Sequence, residues 1–280
     1  MDRIELIAPC HFGLEAVLKR EIKDLGYDIV QVEDGRVTFS ADLDGIARAN
    51  LFLRTAERIL LKIGSFKART FDELFEETRK LPWEEYIPAD GKFWVKKAST
   101  AKSRLFSAPD IQSIVKKAMV ERLKGRYHVS WFEESGDDYP VRVFILKDQA
   151  TISLDTSGVP LHKRGYRKLV SEAPIRETLA AALLMLTPWN KDRILVDPFC
   201  GSGTFLIEAA MMGKRIAPGI NRSFEAENWS FVPRKTWYAA ADEAGDMVID
   251  HLEMDLQGYD KNPQMLRIAR ENARDAEVDD

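Results

Sequence analysis

The 280-residue sequence predicts a protein of mixed class, α+β in its first half and α/β near its C-terminal end. Three patterns predict this. Strand-like and helix-like segments alternate in the order β-α-β-β-α-β over the first sixty residues. A second alternation of helices and strands continues to residue 158. Beyond residue 173 a helix, a short apolar strand, a glycine-rich turn and another helix follow one another, which is the order of a doubly wound parallel sheet.

The first unit begins with the strand-like segment IELIAPC and the amphipathic helix GLEAVLKREIKDLG. The segment YDIVQVEDGRVTFSA predicts a β-hairpin that turns at Asp34 and Gly35, because Asp-Gly favours a tight turn. A second helix, DLDGIARANLFL, and a strand, AERILLKIGSF, complete the β-α-β-β-α-β order. We therefore predict a ferredoxin-like domain over residues 1–60.

The second unit, residues 61–158, contains two predicted helices, TFDELFEETRKL and SAPDIQSIVKKAMVERLKG. Strand-like segments, KFWVKKAST and VRVFILKDQATISLDTSG, complete it. Residues 159–172 lack a clear period and are predicted to form a basic connector. In the longer helix the apolar residues share one face; they are Ile111, Ile114, Val115, Ala118, Met119 and Leu123.

The net charge of −4 conceals a strong asymmetry. Residues 92–126 contain ten basic residues and two acids, a net charge of +8, whereas residues 242–280 contain twelve acids and four basic residues, a net charge of −8. A segment that concentrates positive charge is suited to a polyanion such as nucleic acid. An ordinary solvated surface is the alternative.

The composition disfavours several classes of protein. The longest apolar run, LAAALLML at 179–186, is too short to cross a bilayer. The N-terminus lacks the basic start and apolar core of a signal peptide. Cys10 and Cys200 are the only cysteines, and neither belongs to a CxxC motif or a His/Cys cluster, so no metal site is expected. These features favour a reduced, cytoplasmic setting.

The segment ILVDPFCGSGTFLIEAA places Gly201 and Gly203 between a strand and a helix. A nucleoside triphosphate loop would need a lysine directly after the glycines, but the first lysine is Lys214. A dinucleotide fingerprint would need a third glycine, and Leu206 occupies that position. Both ligands are therefore disfavoured.

S-adenosylmethionine fits the same turn better. Asp197, just before the glycines, can meet the cationic amino-acid end of that cofactor, and Asp260, at the end of the next strand-like segment, can accept hydrogen bonds from ribose hydroxyls. The separation of the two acids along the chain is long, which an insertion at 213–250 would explain. A glycine bend that holds no ligand is the alternative.

Several long blocks of the sequence resemble one known family. DPFCGSGTFLIEAA is similar to the cofactor motif of the THUMP-domain RNA methyltransferases, which are also labelled N6-adenine-specific DNA methylases. KASTAKSRLFSAPDIQSIVKKAMVERL (97–123) is similar to the THUMP core, residues 154–184 to the interdomain stretch, and GYDKNPQMLRIARENA (258–273) to the second cofactor motif. The resemblance covers nearly the whole chain. It also suggests relatives that methylate guanine N2 in bacterial large-subunit ribosomal RNA.

The resemblance implies a ferredoxin-like N-terminal domain at 1–60, a THUMP RNA-binding domain at 61–158, a connector at 159–172, and the N-terminal part of an incomplete Rossmann-like methyltransferase domain at 173–280. It implies that the methionine half of the cofactor contacts the glycine turn, that the second acid binds the ribose, and that a residue of APIRET closes the site. The implied cofactor-binding residues are Asp197, Phe199, Gly201, Gly203, Asp260 and Arg176.

The resemblance also assigns the basic segment to RNA, with contacts to phosphate groups that carry little sequence information. Phe93, Trp94 and Phe106 could stack on bases, although a strand pattern favours the core. His162 could be catalytic, but a structural role or a phosphate contact is favoured. The candidate phosphate contacts are Lys96, Lys97, Lys102, Arg104, Lys116, Lys117, Lys163, Arg164, Arg167 and Lys168.

The sequence departs from the family in one respect. The family places an NPPY or DPPY motif after the fourth strand to hold the target amino group, and this sequence contains no Pro-Pro pair. Because the chain ends at Asp280, we expect it to be the N-terminal part of a longer enzyme and to be inactive by itself. No catalytic residue is assigned. A nucleophilic role for Cys200 is disfavoured, because the motif places no base beside it.

The preferred hypothesis is a cytoplasmic RNA methyltransferase that uses S-adenosylmethionine and methylates guanine N2 of ribosomal RNA, with 23S rRNA as the expected partner. A DNA adenine-N6 methyltransferase is the second hypothesis, and a non-catalytic RNA-binding module is the third. The basic segment that precedes the glycine turn favours RNA over duplex DNA.

Overall fold

The computed structural model describes residues 3–167 and 174–279. Its main feature is a seven-stranded sheet in the order β2-β3-β1-β4-β7-β6-β5. Only β5 and β6 pair in parallel; the other neighbours in this sheet are antiparallel. The strands are β1 (Ile4–Pro9), β2 (Asp28–Glu33), β3 (Arg36–Ala41), β4 (Leu60–Lys67), β5 (Lys92–Ala101), β6 (Asp138–Leu146) and β7 (Gln149–Asp155).

Four helices accompany this sheet and cover one of its faces. The predicted apolar face of the longest helix is confirmed, because Ile111, Val115 and Met119 are fully buried against the strands. Ile114, on the same predicted face, is only partly buried. The helices are α1 (Glu15–Asp24), α2 (Asp44–Phe52), α3 (Phe71–Lys80) and α4 (Ala108–Tyr127), with a short 3-10 helix at Trp83–Glu85.

The first two predicted units share this one sheet. β4 pairs with β1 through Leu60 and Leu61, and it pairs with β7 along its whole length. The hairpin between β2 and β3 turns at Asp34 and Gly35, as predicted, and the φ of Gly35 is +76°. Positive φ favours glycine at that position.

The third unit begins the α/β fold that the sequence predicts. Its strands β8 (Leu195–Asp197) and β9 (Leu256–Gly258) pair in parallel, with Asp197 opposite Gly258. The connection between them contains the predicted helix after the glycine turn and the insertion. The helices of this unit are α5 (Glu177–Leu186), α6 (Thr204–Gly213), α7 (Arg234–Asp246) and α8 (Pro263–Asp275), with a 3-10 helix at Glu225–Asn228.

The insertion at 213–250, for which the sequence predicted no fold, packs into the core of the seven-stranded body. The indole of Trp229 is 1% exposed, stacks on Tyr139 of β6 with 5.3 Å between ring centroids, and donates to the carbonyl of Asp138 at 2.9 Å. Helix α7 packs on α2, where Arg48 binds both carboxylate oxygens of Glu243 at 2.7 and 2.8 Å. The insertion therefore joins the third unit to the first two.

No helix in the described ranges is long and apolar enough to cross a membrane.

Candidate functional site

The glycine turn lies where β8 and β9 end side by side. The amide of Tyr259 donates to the carbonyl of Asp197 at 2.9 Å, and the amide of Cys200 donates to the carbonyl of Tyr259 at 2.9 Å. These bonds continue the pairing of the two strands into the turn. Ligands of open α/β sheets bind at this edge, beyond the carboxyl ends of the strands.

Both glycines of the turn have a backbone conformation that favours glycine. The φ of Gly201 is +52° and that of Gly203 is +82°. A side chain at Gly203 would lie 3.0 Å from the Cβ of Ala269 on α8, so this glycine allows the helices to pack closely. A Cβ at Gly201 would meet no atom within 4 Å. The backbone at Gly201 is therefore open to a ligand.

The two predicted acids converge on this turn. One oxygen of Asp260 accepts from the amide of Gly201 at 3.1 Å, and the other accepts from the amide of Asn262 at 2.8 Å. A carboxylate oxygen of Asp197 accepts from the amide of Phe199 at 3.0 Å. The turn thus holds two carboxylates from separate strand ends, which suits a ligand that carries an ammonium group and ribose hydroxyls.

A cleft of about 400 Å³ opens on one side of the turn. The ring of Phe199 at its edge is 87% exposed. The residues that line the cleft are Pro174, Ile175, Asp197, Phe199, Cys200, Gly201, Ser202, Thr204 and Phe205.

Cys200 has the environment of a protonated thiol. The residue is 8% exposed, and burial raises the pKa of its thiol, to which the nearby carboxylates of Asp197 and Asp260 add. A raised thiol pKa lowers the thiolate fraction at neutral pH. The side chain therefore lacks the activation that a nucleophile needs.

Arg176 contacts Glu57, in the link between α2 and β4. Its guanidinium lies 3.2 Å from the carboxylate of Glu57. His11 Nε2 and His162 Nδ1 lie 3.3 and 3.4 Å from the same carboxylate, and the hydroxyl of Thr178 donates to it. Contact with Glu57 thus occupies two of the residues that the sequence analysis considered for the site, Arg176 and His162.

Glu57 is ionised over a wide pH range. Although burial raises the pKa of its carboxyl, polar contacts from His162 and Thr178 and the nearby histidines lower it to about 2. Sequence reasoning missed this residue, because its partners come from three separate segments. We call these five residues, His11, Glu57, His162, Arg176 and Thr178, the Glu57 cluster.

The structure corrects the prediction for two arginines of the connector. Arg164 is 3% exposed, donates to the carbonyls of Leu161 and Arg54 at 2.8 and 2.6 Å, and pairs with Glu208. It cannot reach RNA from that position, so the predicted phosphate contact is wrong.

Arg167 is committed in the same way. Its side chain is 11% exposed, and it donates to Thr204 and to the carbonyl of Ile175 beside the cleft, with Glu177 at 3.4 Å. This side chain supports the wall of the cleft instead of contacting phosphate. The neighbouring candidate, Lys168, lies outside the described residues.

Lys116 is also less available to RNA than the sequence pattern of its helix indicated. The ammonium group donates to the carbonyl of Phe93 and to Glu134 at 2.9 Å, and it lies 3.8 Å from the ring centroid of Phe93. Lys96 is exposed but donates to the carbonyl of Gly158 at 3.3 Å. Other candidate phosphate contacts are exposed, namely Lys97, Lys102, Arg104, Lys117 and Lys163.

Acids from outside residues 92–126 neutralise part of the charge of that segment. Glu84 lies 2.7 Å from Arg122 and 3.7 Å from Arg126. Asp138 lies 3.3 Å from Lys92. The local positive charge is therefore smaller than the sequence window indicates.

The aromatic candidates divide between core and surface. Phe93 is 1% exposed and belongs to the core, as the strand pattern predicts. Trp94 is partly buried and lies under the ammonium group of Lys92. Phe106 is 80% exposed, so it keeps the stacking hypothesis open.

The fold and the site together define a class of protein. In this class an α/β unit with a site for a nucleotide cofactor is joined to an α+β body of two units. Three protein-family models match the chain in this order: the RlmL ferredoxin-like domain at 5–60, the THUMP domain at 68–155, and the RMKL-like methyltransferase domain at 164–280.

Known proteins resemble the chain over its length. It is 49% identical over 283 residues to the "Putative RNA methyltransferase YpsC" of Bacillus subtilis, a match that covers 100% of this chain and 73% of that protein. It is 35% identical to the "Ribosomal RNA large subunit methyltransferase K/L" of Psychromonas ingrahamii, with 96% of this chain and 36% of that protein covered.

Solved structures also resemble the chain over nearly its whole length. A possible methylase from Clostridium difficile 630 is 51% identical with a TM-score of 0.97, over 99% of this chain and 74% of that one. SMU.472, described as a putative methyltransferase complexed with SAH, is 43% identical with a TM-score of 0.94, over 100% of this chain and 74% of that one. The chain belongs to the family of THUMP-domain RNA methyltransferases that depend on S-adenosylmethionine.

Proposed function

We propose that this methyltransferase modifies guanine N2 of 23S ribosomal RNA. The observation that carries the proposal is the pair of acids on one open glycine turn, joined by hydrogen bonds to the body that contains the THUMP domain. The names of the K/L relatives support large-subunit ribosomal RNA as the substrate. Cys10 and Cys200 are free thiols, which supports a reducing, cytoplasmic setting.

The cofactor would bind across the ends of β8 and β9. We assign Asp197 to its ammonium group, the backbone at Gly201 and Gly203 to its methionine half, and Asp260 to its ribose hydroxyls. The open space beside Gly201 supports this placement. Phe199, exposed at the edge of the cleft, would cover the bound cofactor.

Arg176 has a different proposed role. Because it contacts Glu57, it would hold the start of α5 beside the cleft instead of contacting the cofactor directly. The wall formed by Pro174 and Ile175 would then depend on the Glu57 cluster.

Transfer would be direct, from the sulfonium methyl to the exocyclic amino group, without a covalent enzyme intermediate. The raised pKa of the Cys200 thiol supports this choice. The acceptor base must be turned out of its stack and aligned with the methyl group. The comparisons do not support the expectation that the chain is inactive by itself, and that expectation stays a prediction.

The cofactor site is tested by isothermal titration of the full chain with S-adenosylmethionine. Each of Asp197→Ala and Asp260→Asn should weaken binding about tenfold or more, because each removes a charged hydrogen-bond acceptor. Asp255→Ala is the matched control, since Asp255 is an exposed acid just before β9. Wild-type affinity in both site variants would refute the assignment.

The substrate is tested by methylation assays with a large-subunit ribosomal RNA fragment, the same RNA with inosine in place of guanine, and duplex DNA. Inosine lacks the N2 amino group, so the proposal predicts transfer to the guanine-containing RNA alone. Transfer to adenine in DNA would favour the second hypothesis. RNA binding without transfer would favour a non-catalytic module.

A further inference from the structure

The seven-stranded sheet has a second face, opposite its helices, that runs across the first two units without interruption. Alternation along the strands places Val37, Val143 and Ile152 in the core. Their neighbours Arg36, Arg142 and Thr151 project to the opposite side, where they line surface cavities. The second face therefore mixes charged and hydroxyl side chains with apolar ones, among them Ile7, Leu60 and Phe144.

A cavity of about 250 Å³ lies on this second face. Three cationic side chains, those of Arg36, Lys97 and Arg142, line it together with one acid, Asp34. They come from β3, β5 and β6, which are far apart in the sequence. The cavity is also lined by Ser99, Thr151 and Ser153, whose hydroxyls can donate hydrogen bonds. We call this surface the sheet groove.

The cations of the sheet groove are incompletely neutralised. Arg58 and Arg142 share one carboxylate, that of Asp155, at 2.7 and 2.9 Å. Lys97 is exposed and makes no hydrogen bond or ion pair within the part of the chain that the structure describes. Four cations, Arg36, Arg58, Lys97 and Arg142, face three carboxylates, those of Glu33, Asp34 and Asp155, so the groove keeps a net positive charge.

Arg36 is the most confined of these cations. Its side chain is 13% exposed, its guanidinium lies 3.6 Å from the ring centroid of Phe144, and Glu33 is 3.5 Å away. Burial lowers the pKa of Arg36, which shows that its charge is poorly solvated. An arriving anion would supply the solvation that this guanidinium lacks.

We propose that the sheet groove binds the sugar–phosphate backbone of the RNA substrate, with Arg36, Lys97 and Arg142 on its phosphates. This inference rests on the proposed function, because it presumes an RNA substrate. Phosphate oxygens are suited to a site with several cations and hydroxyl donors. Two of the three contacts, Arg36 and Arg142, lie outside the basic segment 92–126.

The groove leads toward the cofactor turn. Pro9 and Gly35 line its cavity, and the amide of Cys10 donates to the carbonyl of Gly35 at 2.9 Å. The next residue, His11, belongs to the Glu57 cluster, whose members Arg176 and Thr178 begin α5 beside the cleft. Phe12, in the same loop, is 80% exposed. We therefore place the target end of the bound RNA on this side of the groove.

The test is the salt dependence of RNA binding by the full chain. Binding is measured by fluorescence anisotropy with a labelled ribosomal RNA fragment. The double variant of Arg36→Gln and Lys97→Gln should bind about tenfold more weakly and lower the log–log salt slope by about 1.5, because two phosphate contacts are lost. The double variant of Lys23→Gln and Lys235→Gln removes two exposed charges from α1 and α7 and should keep the wild-type slope.

The outcomes separate the groove from the proposed function. If both double variants behave alike while the wild-type chain binds RNA, the groove is overturned and the function stands. If the wild-type chain binds S-adenosylmethionine but no RNA, the RNA substrate itself is overturned. Since Arg36 packs on Phe144, Lys97→Glu alone provides a second check, because an exposed side chain can change without loss of fold. Wild-type RNA affinity in Lys97→Glu would also count against the groove.

Discussion

The seven-stranded body and the cofactor unit differ in how much core each has of its own. In the body, the strand residues Leu6, Val37 and Phe39 are fully buried. In the cofactor unit, Val196 of β8 is 49% exposed, and Ile194 just before it is 62% exposed. A separate small core joins α6 to the chain after α8; its buried residues are Tyr166, Ile207, Ala210, Met211, Ile216, Ala276 and Val278.

Direct contacts also join the described part of the cofactor unit to the body. Arg54 of the body donates to the carbonyls of Met211 and Ile216, and its own carbonyl accepts from Arg164 of the connector. The insertion adds the stacked Trp229 and the ion pair to Arg48. These contacts connect the cofactor site to the body that contains the THUMP domain.

The largest effect is expected from Trp229→Ala, which removes the anchor of the insertion. Loss of a fully buried indole and its hydrogen bond should lower the free energy of unfolding by about 3–5 kcal/mol, measured by denaturant titration. Tyr238→Ala on α7 is the control, since Tyr238 is 67% exposed and its loss should cost about 0.5 kcal/mol or less. Equal losses of stability in Trp229→Ala and Tyr238→Ala would show that the insertion is not integral to the body.

An intermediate effect is expected from Glu57→Gln. The folded-state pKa of Glu57, about 2, lies below its ordinary value, so its carboxylate stabilises the fold above that ordinary value and loses this contribution as pH falls toward 2. Wild-type stability should therefore decrease by about 1–2 kcal/mol more than that of the variant between pH 5 and 2.

Two controls sharpen the result for Glu57. Glu5→Gln removes a more exposed carboxylate that also has a cationic partner, Lys62. This substitution should change the loss of stability between pH 5 and 2 little. The affinity for S-adenosylmethionine should fall in Glu57→Gln, because the cluster holds the start of α5 beside the cleft. If Glu57→Gln changes the loss of stability at low pH but leaves the affinity for S-adenosylmethionine unchanged, Glu57 has only a structural role in the body.

The smallest effect is expected from Cys200→Ser. If the thiol takes no part in the reaction, methyl transfer should remain within about threefold of wild type, a difference below 1 kcal/mol. Cys10→Ser is the matched control, since Cys10 is another buried thiol, whose pKa burial raises to about 12. Loss of transfer in Cys200→Ser alone, at unchanged cofactor affinity, would restore the nucleophile hypothesis.

Local patterns in the sequence were sufficient for much of the fold. The Asp34-Gly35 turn, the apolar face of α4 and the strand–turn–helix around Gly201 all follow from spacing within a few residues. The convergence of Asp197 and Asp260 was also predictable, because consecutive parallel strands end at the same edge of a sheet. The insertion was not predictable, since Trp229 and Glu243 are defined by partners that lie far away in the chain.

The sequence alone determined the class of fold and the family, and it predicted the ligand of the glycine turn. These depend on residue type and short-range order, which the chain displays directly. Only the tertiary structure decided which basic residues are available to RNA. Arg164 and Lys116 resemble surface cations in sequence, yet Glu208 and Glu134 engage them in the fold. Arg36 and Arg142 are also ion-paired, with Glu33 and Asp155, but they line an open cavity, and only the sheet brought them there beside Lys97.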